Sequence, residues 1–110
     1  MGTIQHNAII ATTGLSEHAE PLQSWINNLP DEERKLFSRY PSWINGYVTF
    51  FLAPDGSKEM WETSDQGDKL REKFKARLKE DNYEDESSPW SWVEIGFGEC
   101  GKKFIDGSEY

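Results

Sequence analysis

Residues 43–63 read WINGYVTFFLAPDGSKEMWET. Positions 47–53 are dense in β-branched and aromatic side chains, which fit a pleated, half-buried surface. Pro54, Asp55 and Gly56 follow with turn chemistry: the proline presets φ and the glycine accepts a positive φ. Positions 58–63 can then return, so the stretch predicts a β-hairpin closed by residues 54–56.

Working outward, residues 4–13 (IQHNAIIATT) alternate and are β-branched. His6, Ala8 and Ile10 point one way and Asn7, Ile9 and Ala11 the other, as in a strand ended by Gly14. Between this strand and the hairpin, Leu22, Trp25, Ile26 and Leu29 fall at i, i+3, i+4 and i+7, the apolar stripe of a helix. Pro21 suits a first helical turn, and Pro30 with Asp31, Glu32 and Glu33 reads as a second start. The spacing predicts a broken helical segment reaching Tyr40 and Pro41.

Beyond the hairpin, Ser64 can cap a helix with Asp65 and Asp68 in its first turns, where the helix dipole favours acids. Its apolar positions Leu70, Phe74 and Leu78 recur at i, i+4 and i+8. Gly67 should weaken that helix by up to ~1 kcal/mol relative to alanine. After the acidic loop around Tyr83, Pro89 opens a last strand, WSWVEIGFG, with Trp90, Trp92 and Glu94 on one face and Ser91, Val93, Ile95 and Phe97 on the other. The order β, α, β, β, α, β predicts a single α+β domain, a four-stranded antiparallel sheet with two helices on one face in the ferredoxin-like arrangement, followed by a short tail.

The chain has 110 residues, the size of one ordinary domain, and its 14% aromatic content is enough to build a core. A formal charge of −8 argues against nonspecific attraction to nucleic acid or anionic lipid, so direct nucleic-acid binding is not expected. Cys100 stands alone, which excludes an intrachain disulfide and any site built on paired cysteines. Neither a signal peptide nor a membrane-spanning run is legible, and a cytoplasmic protein is expected.

Residues 96–103, GFGECGKK, carry the G-x-G-x-x-G spacing and come within one residue of a Walker loop, Lys103 standing where Ser or Thr belongs. A phosphate loop works through the N-terminus of a following helix, and KFIDGSEY is too short to supply one. Both phosphate readings therefore fail, and a strand end relieved by glycines is expected, with no cofactor.

Asp65 and Asp68 do not meet a calcium-loop spacing, so no metal site is expected. His6 lacks the second strand histidine of two-histidine phosphodiesterases, and neither a Ser-His-Asp order nor a Cys-His pair has a recognisable setting. The helix after Ser64 holds six of the twelve basic residues, and Arg71, Lys75 and Lys79 flank its apolar stripe opposite Lys69, Lys73 and Arg77. They read either as stems covering the core edge or as a dipolar surface that orients a partner. On the last strand both faces are apolar, so the face bearing Trp90 and Trp92 is either covered by the chain itself or an interface.

The sequence also resembles a small, uncharacterised family of bacteriophage and bacterial proteins. The likeness is carried by His6, Ala8 and Ile9; by Asn45, Gly46 and Tyr47; by residues 54–59 with Trp61; by Ser64, Asp65, Gly67 and Asp68; and by Trp92, Val93 and Glu94. No activity carries over from it. The resemblance implies a viral or mobile-element source and hence an accessory protein acting on host machinery.

Three functions follow from this reading. The first is a non-enzymatic, acidic interaction protein, such as a phage accessory or anti-defence inhibitor, whose partner is a host protein or a second copy in a homodimer or higher oligomer. The second is a binder of a small, nucleotide-like ligand, with a pocket from Tyr47, Trp61, Ser64, Asp65, Asp68 and Arg71 in which the two acids favour a cationic or sugar-like group. The third is an enzyme using His6 with a carboxylate.

Overall fold

The computed structural model describes residues 5–56, 62–99 and 101–108, and for 62–64 the backbone alone. Along the chain lie β1 (Gln5–Thr13), α1 (Ser16–Asn27), α2 (Asp31–Arg34), β2 (Phe37–Pro41), β3 (Val48–Leu52), α3 (Glu62–Glu80), β4 (Ser91–Gly98) and β5 (Lys103–Gly107). The strands form one open antiparallel sheet in the order β2-β3-β1-β4-β5. Among the described residues the fold is α+β with five strands and three helices, not four and two.

The hairpin is present but displaced. β3 pairs with β2, and the turn between them is Ser42–Tyr47, not Pro54–Gly56. Ser42 N–H donates to the Tyr47 carbonyl at 2.9 Å, and Ser42 Oγ donates to the Ile44 carbonyl at 2.7 Å. Asn45 and Gly46 both take positive φ, 67° and 66°. Asn-Gly suits such a turn because asparagine tolerates the left-handed region and glycine pays no Cβ penalty there. Residues 58–61 of the expected return strand lie outside the described residues, while Glu62 and Thr63 already belong to α3.

The expected helix through Tyr40 stops much earlier. α2 is a single turn, and residues 37–41 become an edge strand whose terminal Pro41 is tolerated there because no further ladder bond is required of it. At the opposite edge, β5 replaces the expected tail. Its pairing with β4 shifts register between Glu94 and Ile95, and Ser108 locks its end by exchanging hydrogen bonds with the Trp92 backbone. The glycine stretch is the β4–β5 hairpin turn, where Gly101 N–H donates to the Gly98 carbonyl at 3.0 Å, and β5 follows it.

α1 and α3 cover one face. Ala19, Leu22 and Ile26 of α1 and Leu70, Phe74 and Leu78 of α3 pack on Ile9, Ala11, Phe50, Leu52, Trp90 and Trp92. Trp90 and Trp92 therefore belong to the core, with Phe50 edge-on to Trp90 at 5.8 Å. At the far end of α3, Asp81 ties three groups together: it accepts from Trp90 Nε1 at 2.8 Å and from an Arg77 guanidinium nitrogen at 3.1 Å, and lies 3.6 Å from His18 Nδ1.

Candidate functional site

The alternation of the strands decides what remains outside. Since Ile9, Ala11, Phe50, Leu52, Trp92 and Glu94 face the helices, the register places His6, Ala8, Ile10 and Thr12 of β1 on the other face, beside Val93, Ile95 and Phe97 of β4. Thr49 and Phe51 of β3 and Tyr40 of β2 continue that face, and Phe104 of β5 closes it opposite Ile95. Among the described residues, none of the helices packs its apolar residues there. Tyr40 and Phe104 are more than half exposed, and His6 lies against Phe97 with ring centroids 5.2 Å apart. Among the described residues the apolar face left without helices is therefore the one carrying Val93 and Phe97, not the tryptophan face.

At one end of this face the β2–β3 hairpin projects. Trp43 at its tip is fully exposed, Ile44 is 73% exposed, and Tyr47 is half exposed with its ring against Gly14. The turn uses Ser42 and the Asn45-Gly46 pair to close on itself, which leaves the Trp43 and Ile44 side chains outside. Sequence reading assigned no role to Trp43. The available signal was a tryptophan immediately before an Asn-Gly turn, where no strand or helix can bury it.

On the helix side, α3 buries more than its apolar stripe. Arg71 and Lys75 are each 6% exposed and Glu94 4%. Lys75 Nζ donates to Glu94 at 2.7 Å, meets Glu72 at 2.9 Å and reaches Asp106 of β5 at 3.3 Å. Arg71 donates to Asp68 at 2.5 Å and to Asp55 at 3.5 Å, with its Nε 3.9 Å from Glu94. Two cations are thus enclosed by carboxylates from α3, β4, β5 and the segment after β3.

Burial is the largest influence on the Lys75 ammonium and lowers its pKa. The hydrogen bonds and charges of Glu94 and Glu72 outweigh that, so it lies above its ordinary 10.5. For Asp106 burial is likewise the largest influence and acts upward, but the Gly107 N–H and the nearby Lys75 and Lys79 charges together hold it below the usual carboxylate range. The cluster is a saturated ion-pair network in which each cation is already hydrogen-bonded.

Gly67 belongs to the same region. A Cβ there would fall 1.6 Å from an Asp55 carboxylate oxygen, so the glycine lets Asp55 approach α3 and Arg71. Next to it a groove of about 460 Å3 opens between α2 and the start of α3, lined by Leu36, Leu70, Lys35 and the acidic Glu32, Glu33 and Asp55. The remaining basic residues of α3 are largely paired too: Lys73 with Glu33 at 2.7 Å, and Lys79 over the Trp92 ring at 5.9 Å.

Of the residues expected to bind a ligand or partner, Arg71, Asp68 and Glu94 come together in the ion network. Asp65 is exposed on α3, and Trp61 and the Ser64 side chain lie outside what is described. Ser64 is not the helix cap, because α3 begins at Glu62. Tyr47 sits at the opposite end of β3 from Arg71, with the five residues of the strand, roughly 16 Å of rise, between them. The pocket drawn from the sequence is therefore not assembled around Tyr47. Among the described residues no group of three or more His, Cys, Asp or Glu could hold a metal ion, and no helix is long and apolar enough to cross a membrane.

No protein-family model matches the chain, and neither a curated protein nor a solved structure matches it.

Proposed function

We propose that this is a non-enzymatic interaction protein that binds a protein partner through the β2–β3 hairpin, in its specific form a phage accessory or anti-defence inhibitor of a host protein. The observation that carries the reading is Trp43, fully exposed at a hairpin tip beside exposed Ile44. A bare tryptophan contributes nothing to the core of its own chain, whereas tryptophan is one of the residues in which binding hot spots, seated in desolvated pockets, are enriched. The net charge of −8 favours a partner with a basic rim, which raises the association rate and rejects acidic competitors. The strand and helix order supports a ferredoxin-like unit, β1-α1-β2-β3-α3-β4, extended at one edge by β5.

Affinity capture from bacterial lysate with the wild-type chain and with Trp43→Ala tests this. A protein captured stoichiometrically by the wild type and lost with Trp43→Ala, while the melting temperature stays unchanged, supports the proposal. Equal capture by both removes the hairpin as the binding element.

A second reading rests on the groove beside Gly67. Its acidic lining suits a cationic or polyhydroxylated small molecule and repels the phosphates of a nucleotide. A rise in melting temperature with such a ligand, abolished in Glu33→Gln, would favour it.

A further inference from the structure

The sheet face opposite α1 and α3 differs from the rest of the surface in its charge. Every Asp and Glu of the strands, Glu94 and Asp106, points to the helix side. Among the described residues the other acids lie on helices, turns and loops. The outward positions of the five strands carry no Asp or Glu and are dominated by Tyr40, Phe51, Ile10, Val93, Phe97 and Phe104. A basic surface drawn by charge finds no acid to pair with on this face. An acid-free, twisted apolar face fits another surface of the same kind.

We infer that two copies of this chain pack sheet on sheet through this face, related by a two-fold axis. For a chain of charge −8, this is the part of the surface where self-association does not press carboxylates against carboxylates. Facing sheets pack about 10 Å apart, and the acids of each copy lie behind its own sheet, beyond the ~8 Å screening length of physiological salt. The area is sufficient. Roughly thirty strand residues, at ~3.3 Å rise and ~4.8 Å spacing, present a flat face of about 500 Å2, hence about 1,000 Å2 over two copies before side-chain relief adds to it. That meets the lower bound for a specific interface. A two-fold contact needs one self-complementary patch, and Phe104 and Tyr40 at opposite edges give it apolar margins on both sides.

This inference is independent of the hairpin reading, since Trp43 lies past the end of the sheet. Light scattering across a concentration series should give twice the 12.7 kDa chain mass for the wild type. Tyr40→Asp/Phe104→Asp, both at exposed positions that the fold does not need, should give the single-chain mass with an unchanged circular dichroism spectrum. Trp43→Ala should remain dimeric. A wild-type monomer at every concentration overturns the inference, as does a double variant that dimerises normally. Loss of the dimer in Trp43→Ala overturns it as well, because it would place the contact at the hairpin. Partner capture by the monomeric double variant, read separately, reports on the hairpin alone.

Discussion

Replacing Lys75 by methionine removes the ammonium that donates to Glu94 Oε1 at 2.7 Å while keeping most of the side-chain volume. Glu94 is 4% exposed, so its carboxylate cannot recover the lost partner from water. Breaking a buried pair from one side typically costs 3–5 kcal/mol. Arg71 Nε at 3.9 Å retains part of the Coulomb attraction, which places the expected loss near ~3 kcal/mol. In a chain of this size that lowers the melting temperature by roughly 10–20 °C. Because the folded-state pKa of Lys75 is raised, its contribution is complete below 10.5 and is lost only as pH rises through the higher folded value. The penalty of Lys75→Met should therefore be flat between about pH 5 and pH 9. Urea denaturation of the wild type, Lys75→Met and Lys75→Met/Glu94→Leu measures it. The double variant, with neither charge buried, should regain at least half of the loss. A single-variant loss under ~1 kcal/mol would mean that water already solvates the pair, and a double variant no better than the single would show that shape, not charge, holds α3 on β4.

Three further outcomes are expected. Gly67→Ala should fail to show the ~1 kcal/mol gain of a helix-interior glycine replacement, because its Cβ displaces Asp55 from Arg71; thermal unfolding reads this directly. Gly46→Ala should cost about 1–2 kcal/mol, since φ is +66° with open space around the position, so that strain alone acts; a neutral result would contradict the turn conformation. As pH falls from the ordinary carboxylate range through the depressed pKa of Asp106, the Asp106–Lys75 contribution should disappear, so Asp106→Asn should be less stable than the wild type near neutral pH and the two should converge in acid; urea denaturation across pH reads this, and a gap that persists into strong acid would contradict it.

Period-2 alternation made β1 and β4 readable, because each has one face in the core, and the apolar stripe of α3 was readable for the same reason. The second half of α1 followed from Leu22, Trp25 and Ile26 at i, i+3 and i+4. Residues 37–41 were not readable as a strand, since FSRYP has no alternation of its own and becomes extended only because β3 offers it a ladder. Likewise KFIDG pairs only once the Gly98–Gly101 turn brings it back along β4. Two turn signals competed within residues 43–63, and Asn45-Gly46 closed the hairpin although Pro54-Asp55-Gly56 carries comparable local chemistry. The partner available to β3 lay upstream.

The α+β class, the strands β1 and β4 and the helix α3 were legible in the residues alone, because hydrophobic period is a local property. Which face of β4 is buried, which of the basic residues of α3 are enclosed with Glu94, and the exposure of Trp43 were decided only by tertiary structure. Each depends on where α1 and α3 settle on the sheet, and a helix covers one face of a strand without leaving any mark in the alternation of that strand.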